Sequence, residues 1–307
     1  MRRFKNILAV YDDSIGTDDV FCQATALARE NAARLTFINV LQDSYATRAG
    51  IEERRKRLAR LKPAVAAEGV REASFIVSAG IPFLNIIQQV LRADHDLVIA
   101  SAHAESTLRN AYFGSTATHL MRKCPCPVWV VKPGQSAEYE RILACIDPQP
   151  MASDASRMDR TILDLATSLA VANFADLHIV HAWEVTGKDR DTLASELHDD
   201  SRAAILAEHE AVHRERVQAL LSAYPLAMID HHLHLPRDTP HEAIISLVDR
   251  HRIDLIVMGT VSRTGLPGLI IGNAAEKILS AVQCSVMTIK PEAFNSPVVL
   301  EDIRKIA

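Results

Sequence analysis

Short apolar runs alternate along this chain with longer segments whose apolar residues recur at helical spacing. In the first half, the runs ILAVY, LTFINV, SFIV, LVIA and VWVV are typical of buried strands. The helices predicted between them cover residues 18–33, 51–68, 82–93 and 115–122. Strands that are apolar on both faces and alternate with helices indicate a parallel sheet covered on both sides. Right-handed crossovers then predict a doubly wound α/β layer.

The same pattern occurs twice along the chain. Ile7-Leu8-Ala9 returns as Ile142-Leu143-Ala144, and LTFINV returns as LHIVHA. A gapless match then pairs Asp96 with Asp254, Gly114 with Gly272, Ala117 with Ala275, Cys126 with Cys284 and Lys132 with Lys290. The chain therefore reads as two copies of one domain. We predict a first domain at 1–134 and a second at 140–307, separated by a polar segment after a Pro-Gly turn.

Composition narrows the functional classes. Apolar types make up 48% and charged types 23% of the chain, which is typical of a globular protein. The formal net charge of −4 leaves no basic excess for a phosphate backbone, so we expect no nucleic-acid partner. No apolar run approaches the ~20 residues of a membrane span. The N-terminal segment reads as a strand rather than a secretory signal, and the 5 cysteines suit a reducing cytoplasm.

A glycine-rich segment follows the strand DLIVM in the second copy. It starts at Gly259 and leads to Gly272 and Asn273, where a helix is predicted to begin. Ligands of doubly wound sheets bind outside the carboxyl ends of the strands. A helix that starts there presents its first amide N–H groups to a phosphate, and Asn273 is a competent N-cap. Glycines that only turn the chain are the alternative interpretation.

These residues resemble the universal stress protein family in its tandem two-domain form. The family's nucleotide signature is Gly, two residues, Gly, nine residues, then Gly-Ser or Gly-Thr, with an Asp after the first strand. The phrases RKCPCPVWVVKP, MGTVSRTG and IIGNAAE carry the resemblance. It implies that each domain is a five-stranded parallel sheet of order 3-2-1-4-5 with helices on both faces. It also implies that fifth strands pair two domains, and that ATP is bound and slowly hydrolysed in some members.

Neither copy matches that signature completely. In the second copy Ser262 replaces the second Gly, and in the first Ser101 and Ala104 replace both early glycines. The nucleotide contacts that the resemblance implies in the second domain are Asp147, Ala182, Met258, Gly259, Ser262, Arg263, Gly272 and Asn273. The corresponding degenerate site of the first domain comprises Asp12, Val40, Gly114 and Ser115.

Charge favours the second copy as the ligand-binding one. Glu105 in the first copy corresponds to Arg263 in the second. A carboxylate at that position repels a triphosphate, whereas a guanidinium can bind one. We therefore predict a nucleotide site in the second domain and a mainly structural first domain.

Histidines are concentrated in the second copy, where ten of the thirteen lie between His178 and His251. His209-Glu210-Ala-Val-His213 fits the HExxH pattern of zinc proteases, but the flanking sequence does not, and we expect both imidazoles to line a core or pocket. Histidines of the second and third strands could instead approach a zinc ion, with His181, His232 and His234 as weak candidates. Exposed or singly hydrogen-bonded imidazoles are the favoured interpretation, so we predict no metal ligand.

Two further patterns have structural interpretations. Cys124-Pro-Cys126 has metal-like spacing, but we expect it to pack at the entrance of the fifth strand. The basic run IEERRKRLARLK mixes charges at helical spacing and is interpreted as a solvated helix face. No motif for a catalytic nucleophile follows a strand, so we predict no catalytic residue.

Three functions stay open on the sequence. The favoured one is a cytoplasmic stress protein that holds ATP or a related nucleotide, with or without Mg²⁺, in its second domain. The resemblance adds a contribution to stress resistance, including resistance to DNA-damaging agents. The alternatives are a slow ATPase and a scaffold for a different small molecule. The partners expected are the nucleotide-like ligand, an internal pseudo-dimer through the fifth strands, and a second copy of the chain in a homodimer.

Overall fold

The computed structural model describes residues 4–12, 16–42, 47–102, 113–134, 138–148, 154–185, 193, 199–260 and 272–300. Contacts divide the chain into two compact units. The first unit consists of Met1–Glu138 and Thr260–Ala307, and the second of Tyr139–Gly259. Among the described helices, none has the length and the apolar sequence that a bilayer crossing requires.

The first unit is built on a sheet in which the predicted strand order is confirmed. Its strands are β1 (Asn6–Val10), β2 (Arg34–Leu41), β3 (Glu72–Ala79), β4 (Leu97–Ser101), β5 (Val128–Val131) and β10 (Ser285–Ile289). Its helices are α1 (Thr17–Asn31), α2 (Arg48–Arg60), α3 (Lys62–Ala67), α4 (Pro82–Ala93), α5 (Ser115–Lys123) and α9 (Asn273–Ala281). Parallel ladders give the order β3-β2-β1-β4-β5. Every residue of β1 and β4 is buried, which explains their uninterrupted apolar sequence.

An antiparallel ladder joins β5 to β10 within the first unit. Met287 lies opposite Trp129, whose side chain is 1% exposed, and Val286 lies opposite Val130. Because this ladder includes the last strand of the second repeat, the compact units do not follow the repeat boundary. The domain bounds at 134 and 140 stay a prediction.

The second unit holds four parallel strands in the order β8-β7-β6-β9. These strands are β6 (Arg141–Cys145), β7 (Asp176–Val180), β8 (His231–His234) and β9 (Leu255–Gly259). Its helices are α6 (Asp154–Asn173), α7 (Asp199–Leu221), α8 (Pro240–His251) and a 3₁₀ turn at Leu226–Met228. This order repeats that of the first four strands of the chain. The two-copy α/β architecture is therefore confirmed.

Backbone geometry preserves the repeat even where residue types differ. Helices α1 and α6 are followed by Ala32 and Phe174, both at positive φ, and α4 and α8 by Asp94 and Arg252, again at positive φ. Each of these residues occupies the left-handed position that commonly ends a helix, although none is the glycine that this position favours. The same turn is thus built twice from different side chains.

One pair of aspartates explains why the repeat keeps its acidic residue before the fourth strand. The Asp96 carboxylate accepts hydrogen bonds from Lys5 N at 2.6 Å and Asn6 N at 3.0 Å. Asp254 accepts from Glu140 N at 2.8 Å and Arg141 N at 3.1 Å. In each unit a side chain therefore binds the first amide groups of the central strand.

The basic segment predicted as a single helix at 51–68 forms two helices, so the prediction of one element was wrong. Helix α2 ends at Arg60, and α3 begins at Lys62 with Pro63 in its first turn. A proline has no amide N–H to donate to the carbonyl four residues earlier, but it suits the first turn of a new helix. Leu58 is the buried residue of α2, which is consistent with a largely solvated face.

Candidate functional site

The carboxyl ends of β6 and β7 position the first group of predicted site residues. Ile146 N donates to Val180 O at 3.0 Å, which extends the β6–β7 pairing past the strand ends. Asp147 N then donates to Oδ1 of Asp159, a carboxylate on α6 that is 1% exposed. This bond fixes the backbone at Asp147, whose own side chain is 53% exposed. The structure thus presents a carboxylate at the sheet edge where the sequence predicts a ligand.

A chain of side chains extends from that carboxylate onto α7. His181, 2% exposed, has Nδ1 3.6 Å from Oδ1 of Asp147 and Nε2 2.8 Å from Nδ1 of His213. The His213 ring stacks on Trp183 with a centroid distance of 5.3 Å. The indole N–H of Trp183 donates to Leu235 O at 3.1 Å, and this bond holds the indole ring in place.

His213, the second histidine of the HExxH pattern, belongs to this series of contacting side chains. His213 packs against His181 and Trp183 rather than toward a metal site, and burial lowers its pKa below the ordinary histidine value, with the neighbouring His181 adding to the effect. A lowered pKa means that the neutral imidazole is the favoured form near neutral pH. His209, one turn earlier, is half-buried.

One of the predicted glycines lies against a methionine side chain. Gly259 ends β9, and a Cβ added there would lie 2.8 Å from Cε and 2.9 Å from Sδ of Met158. The neighbouring Met258 side chain is buried in the core at 3% exposure, whereas Ala182 is half-buried after β7. The alternative interpretation of Gly259, close packing rather than ligand contact, therefore has a physical basis in Met158.

The remaining predicted residues of the second copy belong to the first unit or lie outside the described residues. Gly272, with φ −58°, is the N-cap of α9, and Asn273 is its first residue, so the expectation that Asn273 caps the helix was wrong. Gly272 N donates to Thr260 O at 2.9 Å, so this amide is engaged within the protein. Ser262 and Arg263 lie outside the described residues.

The strand edge of the first copy is closely packed around Gly16. Thr17 Oγ1 donates to the backbone O of Asp12 at 2.6 Å and lies 3.1 Å from its Oδ1. Gly16 has φ +93°, and a Cβ there would lie 2.6 Å from Oγ of Ser101 and 2.8 Å from Cγ of Pro133. Val40 is half-buried, and Gly114 caps α5 with Ser115 as its first residue.

A second group of histidines lies on β7, β8 and the end of α8. His178 Nδ1 is 2.9 Å from His234 Nε2, and the ring centroids of His232 and His251 lie 4.8 and 4.9 Å from that of His178. Within the described ranges, no three His, Cys, Asp or Glu side chains are grouped to hold a metal ion. The three weak zinc candidates are not brought together, because His181 pairs with His213 whereas His234 pairs with His178.

A cavity of about 150 Å³ lies elsewhere in the first unit, between α5 and α9. Phe113, Met121 and Leu279 line it, together with Arg122 and Glu276, which are bonded to each other. Ligand pockets for molecules of nucleotide size usually exceed about 300 Å³. This cavity is therefore distinct from the predicted nucleotide site.

Comparisons with known proteins agree with the repeat. The model of the universal stress protein family matches residues 3–132 and again 138–290, and the chain belongs to that family. Universal stress protein E of Salmonella typhi is 27% identical over 318 residues, which cover 98% of this chain and 99% of that protein. Universal stress protein E of Escherichia coli K12 is 29% identical over 75% of both chains.

A solved structure shows the same fold over nearly the whole chain. The crystal structure of a protein of unknown function from Pseudomonas aeruginosa PAO1 superposes with a TM-score of 0.76 at 21% identity. The alignment covers 95% of this chain and 94% of that one. The tandem α/β architecture is therefore shared by this chain and that protein.

The sequence missed the residues that organise the edge of β6 and β7. Asp159, Trp183 and Met158 carry no motif, and His213 was noted only within HExxH. The one usable signal was the position of Trp183 just after the second strand, where doubly wound sheets place ligand contacts.

Proposed function

We propose that the second copy of this universal stress protein binds ATP or a related nucleotide at the carboxyl ends of β6, β7 and β9. The observation that carries the proposal is the Asp147 carboxylate, which is half exposed at the edge while its backbone is fixed by Asp159. Ligands of doubly wound sheets bind at this edge. Membership of the family supports a stress-related role in the cytoplasm, for which the free thiols of all five cysteines are suited.

The second copy is proposed as the binding one on the close packing of the first edge and on a contrast in charge. In the first copy Gly16, Ser101 and Pro133 approach each other closely at the edge. The charge contrast between Glu105 and Arg263 rests on the sequence alone. The contributions of Ser262, Arg263, Gly272 and Asn273 stay part of the proposal.

Magnesium fits the proposed site better than zinc does. Mg²⁺ prefers oxygen ligands and is commonly bound by one or two carboxylates together with substrate phosphates, and Asp147 contributes a half-exposed carboxylate to this edge. When bound, the ion would neutralise phosphate charge. Among the described His, Cys, Asp and Glu side chains, by contrast, no group of three is placed to hold a metal ion.

Paired glycine variants test the proposal. Gly272 and Gly114 both cap helices with φ −58°, and aspartate is a favourable N-cap, so Gly272→Asp and Gly114→Asp should each fold. We expect the added charge to weaken Mg-ATP binding at least tenfold in Gly272→Asp and to leave it within twofold in Gly114→Asp, as measured by isothermal titration calorimetry. Equal loss in both variants would contradict the assignment to the second copy.

Native mass spectrometry of the purified protein addresses the alternative of a different ligand. A retained mass that matches an adenine nucleotide supports the proposal, and a retained mass of another chemical class favours the scaffold alternative. The antiparallel β5–β10 ladder supports the pseudo-dimer through fifth strands as part of the same proposal. The homodimer stays a prediction, which the mass of the intact assembly tests directly.

A further inference from the structure

The contacts at the edge of the second unit favour one placement of the protons on its histidines. The carboxylate oxygen of Asp147 faces Nδ1 of His181 at 3.6 Å, so a proton on that nitrogen is electrostatically favoured. Nε2 of His181 must then accept, and Nδ1 of His213 donates across the 2.8 Å contact. In a neutral His213 ring this arrangement leaves Nε2 as a hydrogen-bond acceptor.

With these protons, the two acceptors next to His181 are the half-exposed carboxylate of Asp147 and Nε2 of the half-buried His213 ring. Acceptors pair directly with donors such as an amino group, whereas they approach phosphate oxygens only through a bridging cation. Stacking on Trp183 fixes the plane of the His213 ring, because the indole is itself held by its bond to Leu235 O. A planar imidazole with a fixed acceptor is suited to the edge of an amino-substituted heteroaromatic ring.

The first copy has the opposite hydrogen-bonding character at the corresponding place. Asn39 occupies the position of His181 in the repeat and donates its amide to Tyr11 O at 2.7 Å. On α2, the guanidinium of Arg54 interacts electrostatically with Asp12. A guanidinium has only donors, so the carboxylate of the first copy is in the field of a permanent cation, whereas that of the second lies beside an imidazole.

We infer that His213 is a specificity-determining residue of the second-unit site, where its oriented Nε2 accepts a hydrogen bond from the amino group of the ligand's base. The inference rests on the proposed nucleotide function and specifies which part of the ligand meets α7. It distinguishes a 6-amino base from a 6-oxo base, because an oxo group would set one acceptor against another. Leaving such an acceptor unmatched typically costs about a tenfold loss in affinity.

The test compares Mg-ATP with Mg-ITP, which carries an oxo group in place of the amino group. We expect the unmodified protein to bind ATP about tenfold tighter than ITP. His213→Phe keeps a ring against Trp183 but has no nitrogen, and its ATP-to-ITP ratio should fall to within about twofold. His213→Gln retains an acceptor and should keep most of the discrimination. The matched control is His209→Phe on the same helix, for which the ratio should not change.

The outcomes separate this inference from the function on which it rests. If the unmodified protein binds neither nucleotide, the proposed function fails and the inference with it. If it binds ATP but the ratio is the same in His213→Phe as in the unmodified protein, only the inference is overturned. If His213→Phe does not fold, His181→Asn is tested instead. This substitution introduces the residue that the first copy holds at the equivalent position, and it removes the side chain that links His213 to Asp147. The ATP-to-ITP ratio should then fall at least threefold. An unchanged ratio in His181→Asn contradicts the inference.

Discussion

Nδ1 of His178 on β7 lies 2.9 Å from Nε2 of His234 on the adjacent strand β8. The His251 ring, at the end of α8, has its centroid 4.9 Å from each of theirs. Burial, with the neighbouring imidazoles and arginines adding to it, lowers the pKa of both His178 and His234 to about 4. The folded protein therefore holds this pair in the neutral state at neutral pH.

Protonation of this pair should destabilise the fold in mild acid. Unfolded histidine titrates near 6.5, so between about pH 6.5 and pH 4 the unfolded chain binds more protons than the folded one. The contribution of the neutral pair to the free energy of unfolding is complete above pH 6.5 and is lost as the pH falls toward 4. After a discount for solvent screening, we expect a loss of about 1 kcal/mol per ring at pH 5, equivalent to about 2–4 °C in Tm.

Two variants check this dependence by thermal unfolding at pH 7 and pH 5. His234→Gln removes one member of the pair, and the decrease of Tm between the two pH values should shrink by about 2–4 °C. His231→Gln is the control, because His231 is exposed on the same strand and bonds only its own turn at Ile229 O. An equal decrease in all three proteins would show that other groups dominate the acid sensitivity.

Asp254 should be the most costly single truncation at the amino-terminal edge of the second unit. Asp254→Ala leaves Glu140 N and Arg141 N without the carboxylate that accepts from them. Loss of charged acceptors of this kind costs about 1–3 kcal/mol, measurable as a lower midpoint in urea unfolding. Asp249→Ala, on the exposed side of α8, should change the free energy of unfolding by less than about 0.5 kcal/mol.

A double-mutant cycle separates packing from ligand contact at Gly259. Gly259→Val places side-chain atoms where Met158 lies, and overpacking of this kind costs about 1–3 kcal/mol. Met158→Ala removes the side-chain atoms that contact position 259. The double variant should therefore recover at least half of the free energy of unfolding that Gly259→Val costs. Additive effects in chemical denaturation would show that Met158 is not the reason for the glycine.

The cysteines should differ strongly in their rate of alkylation. The thiol pair Cys124 and Cys126 has an Sγ–Sγ distance of 3.5 Å, and the hydrogen bond between the two thiols, together with burial, raises the pKa of Cys126 well above its ordinary value. Cys22 is exposed. Because the thiolate is the reactive form, iodoacetamide at pH 8 should label Cys22 at least tenfold faster than Cys126. Preferential labelling of Cys126, read by peptide mass spectrometry, would indicate an accessible thiolate instead of a packed thiol.

The repeat made much of this fold predictable. Local patterning predicted helices at 82–93 and 115–122 close to their observed bounds, and family resemblance supplied the strand order. The pairing of Asp96 with Asp254 in the sequence also pointed to equivalent roles, since both bind the start of a central strand. The helix bounds depend on the local sequence, and the equivalent roles of the two aspartates follow from the repeat.

The candidate site was less accessible from sequence because its contacts join distant segments. His213 reaches His181 across 32 residues that include an insertion without a counterpart in the first copy. Helical periodicity indicates that His213 could face inward, but not which strand it meets. Asn273 is a second example. The N-cap of a helix and the first helical residue are neighbours in the sequence, and glycine and asparagine are both common at helix starts. The sequence therefore does not show which of the two residues is the cap.

The ladder between Trp129 and Met287 has a consequence for how the protein is made on the ribosome. Strand β5 is synthesised long before β10, the strand that completes its free edge. Until then the nascent chain carries an apolar, unpaired strand edge of the kind that invites association with other chains. Nascent chains truncated before residue 285 should therefore depend on chaperones more than the full-length protein does.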